Sequence, residues 1–325
     1  MSSENSSAGI EPELLPAISA VIPVYNKRGT VERAVRSVIA QAHQPVELIV
    51  IDDGSTDGSS AIVADISAPF PITIVETANQ GVSAARNLGA QKARSDLVAF
   101  LDADDEWTSR HLEVLANMAL SHPSAVLLTC SNVRNGRPTA GNKVDRSMRE
   151  GALLGGDALL TYWFDHPGCI SSSSACIDYS DLPDRAVFPE GVARGEDLAV
   201  WIELALNGDV AASAYEGSVI HDDAQLRVSK TGLKEVPYQF ERYATRWRSS
   251  ANDTGALRRL LGRMVVRNAL TLSATDAPAI AIRYLRRAFS IGIAPGIAVL
   301  ALMTMPRRLR LAGRDAIARL RNRRA

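Results

Sequence analysis

From Ile18 onward, short apolar runs alternate with longer segments whose apolar positions recur every three or four residues. The runs 18–25, 46–52, 72–75, 97–101 and 126–130 have the length and continuity of buried strands. Between them, 31–41, 59–67, 82–94 and 110–121 carry a helical period. Strands alternating with helices of this length predict right-handed βαβ units on a mostly parallel sheet. Ligands of such sheets bind beyond the carboxyl ends of the strands, where the strand order reverses. Three polar clusters fall at such ends: Asn26-Lys27, Asp52-Asp53-Gly54-Ser55 and Asp102-Ala103-Asp104-Asp105.

The pattern then loosens. Residues 131–165 are rich in Gly, Asn and Arg and predict loops with a short helix near 156–162. Gly195-Glu196-Asp197 opens a further helix running through Leu206. Past about Lys230 the chain reads as helical, with Leu257, Leu260, Leu261, Met264, Val265 and Leu272 on one apolar face.

Composition adds an asymmetry. At 325 residues, 46% apolar and 22% charged, the chain reads as a globular body with a substantial appendage. Its 36 basic and 36 acidic side chains cancel, yet from Ala281 onward eleven arginines face one acid, Asp315, a net of +10. The remainder carries −10, so the tail is expected to seek an acidic surface. Residues 291–305 form an apolar run of fifteen, interrupted by Pro295-Gly296 and flanked by arginines. A membrane span needs about 20 residues. The run therefore suits a segment lying in an anionic leaflet, with a helical appendage packed on the body as the alternative. Nucleic acid is not the expected partner. Residues 1–17 are polar and read as a disordered leader without the basic start and apolar run of a signal peptide, which predicts a cytoplasmic body. Cys130, Cys169 and Cys176 are too few and too scattered for a disulfide framework or a zinc site, and read as small core residues.

The acidic clusters admit both chemical and structural readings. Asp102 and Asp104, two apart at a strand end, would point to one side if the chain stays extended there. Hard oxygen ligands so placed suit Mg²⁺ or Mn²⁺; acids after a strand also serve as turn formers, and Asp105 reads as a cap of the helix that follows. At Asp52 to Asp57 a Gly turn, with Ser55, Thr56 or Asp57 capping the next helix, is one reading; it leaves two adjacent, mutually repelling carboxylates at the strand end, where one could accept the imide N–H of a uracil or thymine ring. Residues 79–87 give a Gly-hinged helix entry with small side chains, at which Arg86 offers a charged fork to an anion. Glu196 and Asp197 either complement a helix dipole or hold a general base.

Taken in order, five segments resemble the family 2 glycosyltransferases: Val21 to Asn26, Asp52 to Asp57, Asn79 to Asn87, Phe100 to Asp105, and Gly195 to Trp201. The resemblance covers about 18–232. It implies the GT-A fold, a Rossmann-like sheet fused to a smaller mixed sheet, followed by a helical, Arg-rich region at 233–325. Carried over by position, it implies that Pro23, Tyr25 and Asn26 line the nucleotide pocket and that Asp53, with Asp52, holds the base. Gly81 and Arg86 would stand at the base or diphosphate, and Asp102 at the ribose or donor sugar. Asp104 would ligate a divalent metal, Mn²⁺ or Mg²⁺, with His221 and Arg227 reaching the metal or diphosphate from a later segment. Asp197 would be the base, with Glu196 as neighbour and substitute.

The implied reaction moves a sugar from a nucleoside-diphosphate sugar, a UDP-sugar by preference, to a glycan or lipid-linked hydroxyl with inversion. Cell-surface polysaccharide or glycoconjugate synthesis, at the inner face of the membrane, is the expected setting. A non-catalytic nucleotide-sugar-binding protein on the same fold is the alternative, against which the intact acids argue. A Rossmann dehydrogenase is excluded by the lack of a G-x-G-x-x-G turn.

Overall fold

The computed structural model describes residues 15–135, 137–138, 151–155, 158, 160–161, 170–192, 195–222, 238, 242–243, 262 and 286. The leader before Leu15, Cys169, Arg227, the apolar face of Leu257, Leu260, Leu261, Met264, Val265 and Leu272, the run 291–305 and the arginine tail apart from Arg286 lie outside them.

Four strands open the chain: β1 (Ile18–Val24), β2 (Glu47–Asp52), β3 (Ile72–Glu76) and β4 (Leu97–Phe100). Helices α1 (Val31–Ile39), α2 (Ser59–Ala64) and α3 (Val82–Lys92) make the crossovers. All pairings among these strands are parallel. There follow β5 (Glu106–Trp107), α4 (His111–Ser121), β6 (Ala125–Arg134), β7 (Arg137–Pro138) and β8 (Ala152–Leu154). A 3-10 turn at Ser172–Ser174 leads into β9 (Ala175–Asp178), and α5 (Glu196–Asn207) leads into β10 (Asp209–Ile220).

Among the described residues these strands join one sheet in the order β3-β2-β1-β4-β9-β6-β10-β5. The parallel half passes into a mixed half at β9, which runs antiparallel to both β4 and β6, while β6 and β10 are parallel. The chain winds outward from β1 to β3 and then returns to place β4 on the other side of β1. That reversal opens the crevice in which ligands of such sheets bind.

Side chains alternate strictly across the strands. Val21, Ile49, Ile51, Val98 and Phe100 pack with α3 and α5 on one face. Ala20, Ile22, Leu48, Val50 and Ala99 pack with α1, α2 and α4 on the other. With both faces covered, the central strands are apolar throughout, which is why they read as continuous runs. Helix α3 lies close on β1, since a Cβ at Gly89 would overlap Val21. Pro23 is tolerated inside β1 for a local reason. Val21 accepts the Leu101 N–H, so Pro23, two residues on, faces the same neighbour just beyond the end of β4, where no ladder donor is needed.

The first five expected strands and the four helices between them are present within a few residues. The expected short helix near 156–162 is represented by Ala158, Leu160 and Thr161, all helical. Asp105 is not the cap of α4: that helix starts at His111 behind Arg110, and Glu106–Trp107 pairs with β10 instead. No sequence signal foretold β5, β9 or β10.

Candidate active site

The crevice edge is made by the turns that leave β1, β2 and β4. The first two are zipped together. Asn26 N donates to Ser55 Oγ at 2.9 Å, and Thr56 N donates to Asn26 Oδ1 at 2.9 Å. Lys27 N donates to Ser59 Oγ and Arg28 N to Asp57 Oδ2, each at 2.9 Å. Asn26 takes a left-handed conformation (φ 51°), which its short polar side chain accommodates. Its carboxamide is therefore spent on shaping the turn. Tyr25 stands beside it, 44% exposed, while Pro23 is buried beneath.

Asp52 and Asp53 are both buried at the end of β2 and face different partners. Asp52 Oδ1 accepts the Ser55 N–H at 2.8 Å, closing its own turn. Asp53 takes the N–H groups of Gln80 and Gly81 on its two oxygens, each at 2.8 Å. It thereby fixes the entry to α3, where Gly81 holds φ 94° and has open space where a side chain would stand. The repulsion expected between adjacent carboxylates is met by these backbone donors.

Beyond β4 the chain turns rather than staying extended, with Asp105 N donating to Asp102 O at 2.9 Å. The carboxylates converge all the same: oxygens of Asp102, Asp104 and Asp105 lie within 4.8 Å of one another. Each is held from a different element. Asp102 Oδ1 accepts Arg86 Nη2 at 2.7 Å, and Asp104 Oδ2 accepts Lys27 Nζ at 2.8 Å. Asp105 accepts Ser173 Oγ at 2.7 Å and the backbone N–H of His221 at 3.2 Å. Three hard oxygen donors so close together fit Mg²⁺ or Mn²⁺.

Arg86 is the hinge of the arrangement. Its guanidinium is buried, spans Asp102 and Glu196 (Nη1 to Oε1, 3.2 Å), and lies 5.4 Å from the centre of the Phe188 ring. Burial alone would lower its pKa, but Asp102 and Glu196 hold it above the ordinary value. Phe188 stacks edge-on against Phe100 at 5.2 Å and Trp201 at 6.0 Å, so an aromatic chain from β4 to α5 backs the bridge. At the start of α5, burial and the neighbouring Asp197 push Glu196 up to about 7 against the pull of Arg86. Burial also raises Asp197, with Arg86 opposing, and its Oδ1 accepts the Leu198 N–H at 2.6 Å.

The structure thus brings Arg86, Asp102, Asp104, Glu196 and Asp197 into one charged site, with Tyr25, Asp53 and Gly81 along its rim. His221 joins through its backbone, while its ring Nε2 lies 3.2 Å from Glu106 Oε1 rather than on the Asp102–Asp104–Asp105 cluster. Lys27 was marked only by its place after β1; its tie to Asp104, the part of Ser173 and the buried role of Asp105 were not anticipated from sequence. The run of four serines at 171–174 was the available signal for Ser173.

A family model described as glycosyl transferase family 2 matches residues 19–177. The putative teichuronic acid biosynthesis glycosyltransferase TuaG of Bacillus subtilis is 39% identical over 204 residues, covering 62% of this chain and 77% of that protein. An uncharacterized glycosyltransferase of Rickettsia conorii is 29% identical over 206 residues, 62% of this chain but 32% of its own length. The chain spans about a third of the length of the first such relatives. Among solved structures, S. aureus TarS 1–349 in complex with UDP-GlcNAc superposes with a TM-score of 0.58 at 19% identity, over 84% of this chain and 73% of that one. The mannosyltransferase PcManGT of Pyrobaculum calidifontis, in complex with GDP-Man and Mn²⁺, gives 0.53 at 18% identity, over 90% and 80%. These likenesses support the GT-A fold. With the fold, the acids at the strand-order reversal and the extent of the TuaG match in agreement, the chain belongs to glycosyltransferase family 2.

Proposed function

We propose that the chain transfers a sugar from a nucleoside-diphosphate sugar to an acceptor hydroxyl with inversion at the anomeric carbon. The observation that carries this reading is the Arg86 bridge. One buried guanidinium joins Asp102, at the strand-order reversal, to Glu196, next to Asp197. A carboxylate cluster suited to a metal–diphosphate group and a carboxyl pair suited to a base are thereby held in one site.

On this reading Tyr25 offers its exposed ring to the nucleobase above the floor formed at Pro23, and Asn26 holds the turn. Asp53, anchored by two amides, presents its remaining lone pairs to a uracil imide, which favours a UDP-sugar; Asp52 keeps the turn beside it closed. Gly81 leaves room at the entry to α3. Asp102, 34% exposed on its side chain, faces the ribose or donor sugar. Asp104, with Asp102 and Asp105, would hold Mn²⁺ or Mg²⁺, which when bound offsets the charge growing on the departing nucleoside diphosphate. Arg227 would bring a second guanidinium to the diphosphate, with His221 at the base of that segment. Asp197 takes the acceptor hydroxyl's proton while the new glycosidic bond forms and the bond to the diphosphate oxygen breaks. Glu196 is held by Arg86, which leaves Asp197 the better placed of the two to act as base.

The ligands named for TarS and PcManGT support a nucleotide-sugar donor. The name of the TuaG relative supports a glycan or lipid-linked acceptor in cell-surface polysaccharide synthesis. No described helix is long and apolar enough to cross a membrane. Placement on the inner face of the cell membrane is assigned to the basic tail.

Release of UDP from UDP-sugars in the presence of Mn²⁺ and a glycan acceptor tests the reading. Asp197→Asn should lower turnover at least about a hundredfold while leaving UDP affinity within a factor of about two. Unchanged turnover would remove Asp197 from the mechanism.

A further inference from the structure

Lys27 has no part in the roles above, yet it occupies the most contested position in the site. Its Nζ lies 2.8 Å from Asp104 Oδ2, and the two side chains are 18% and 9% exposed. The backbone around it is fixed. Lys27 N donates to Ser59 Oγ, and Lys27 O accepts the N–H groups of Thr30 and Val31 at the start of α1. Only the flexible four-carbon stem is therefore left to move. Asp104 is held from behind as well, since Arg33 Nη2 donates to its backbone oxygen at 2.6 Å.

An ammonium 2.8 Å from a carboxylate oxygen and a divalent ion 2.0–2.2 Å from it are competitors. They share one carboxylate, and two positive charges so close repel strongly at low dielectric. Without a cation, Lys27 answers the mutual repulsion of the three clustered carboxylates. When a divalent ion takes Asp104, that repulsion drives the ammonium away. A diphosphate bridged to that ion is then the nearest new negative charge for a side chain rooted at the end of β1.

We propose that Lys27 is a positioning residue for the donor, one that holds Asp104 while the site is empty and moves to the diphosphate when a divalent cation takes Asp104. The proposal rests on the donor reading above and deepens it. Lys27 then makes metal and nucleotide binding cooperative: it weakens binding of the metal alone and strengthens binding of the metal and diphosphate together. A site built in this way stays free of adventitious cations until the donor arrives.

Lys27→Met removes the charge and keeps the length of the stem. Free Mn²⁺ can be followed by its paramagnetic resonance signal, and UDP affinity by calorimetry at saturating Mn²⁺. The variant is expected to bind Mn²⁺ alone roughly tenfold more tightly and UDP with Mn²⁺ roughly tenfold more weakly, effects of opposite sign. Lys27→Arg should restore UDP affinity in large part. A merely structural role for Lys27 would weaken both affinities together, and that result overturns the proposal. So does a variant indistinguishable from the wild type in both titrations while the wild type binds UDP. Failure of wild type and variant alike to bind UDP would instead overturn the donor reading, leaving the Mn²⁺ titration to decide whether Lys27 competes for Asp104.

Discussion

Taking a guanidinium out of water is costly unless its charge is met on more than one side. Arg86 is met by Asp102 and Glu196, and its position sets the behaviour of the acids around it. Burial and the charge of Asp197 raise Glu196 to about 7, while burial, with a smaller push from Asp102, holds Asp197 above the ordinary aspartate value. As pH falls, Asp197 takes up a proton and the base is lost. The acid limb of the kcat/KM profile is therefore expected above the pH at which an ordinary aspartate titrates. Glu196→Gln removes a negative neighbour of Asp197 and should move the limb to lower pH; a limb that stays in place would detach the pair from the rate.

His111 poses the opposite problem. It is fully buried between Trp107 and Gly217, and neither ring nitrogen has a partner among the described residues. Burial lowers its pKa from 6.5 to about 3, so the folded chain keeps it neutral. The unfolded chain takes up a proton below about 6.5, and stability is lost from there downward until the folded group also protonates near 3. At pH 5 the loss amounts to about 2 kcal/mol. Denaturant unfolding at pH 7.5 and pH 5 should show this difference shrinking by that amount in His111→Leu.

At the scale of elements, α5 matters most because the two acids sit on its first turn. Trp201 packs against Phe188 on the side that backs Arg86. Tyr243, from beyond the sheet, is fully buried against the same helix and donates its hydroxyl to Ala199 O at 2.7 Å and to Glu203 Oε2 at 3.0 Å. Tyr243→Phe should cost about 1 kcal/mol in equilibrium unfolding, and truncation after residue 232 should cost more by removing the whole buried Tyr243 side chain from α5. If truncation left the melting temperature unchanged, the region after 232 would have no part in holding α5.

Legibility followed the same physics. The strands β1, β2, β4 and β6 are apolar on both faces and announce themselves, whereas β10 carries small and polar side chains (Ala212, Ser213, Ser218) and a register shift at Glu216. Acids at the ends of parallel strands could be located by position alone. Lys27 was placed by the same rule, but its pairing with Asp104 was not, because that partner stands 77 residues away and a lysine after a strand has no distinguishing local pattern. Asp105 failed in the reverse direction: its local setting resembles a helix cap, and only the fold shows Ser173 and His221 closing on it.

For the whole molecule, the sheet, its reversal point and the acids form an anionic body, with the arginine-rich stretch after 281 as counterpart. Near an anionic membrane each Lys or Arg contributes about 1 kcal/mol, and the proposed membrane contact rests on the eleven arginines of this stretch. Sedimentation with phosphatidylserine-containing liposomes should depend on residues 281–325 and weaken with salt; equal sedimentation after their removal would separate the tail from membrane binding.

On the proposed function, Asp104 stands where metal, diphosphate and protein meet. Calorimetric titration of UDP into the wild type and Asp104→Ala, with and without Mn²⁺, tests it most directly. Binding should require Mn²⁺ and be lost in the variant. UDP affinity indifferent to both the ion and the substitution would contradict it.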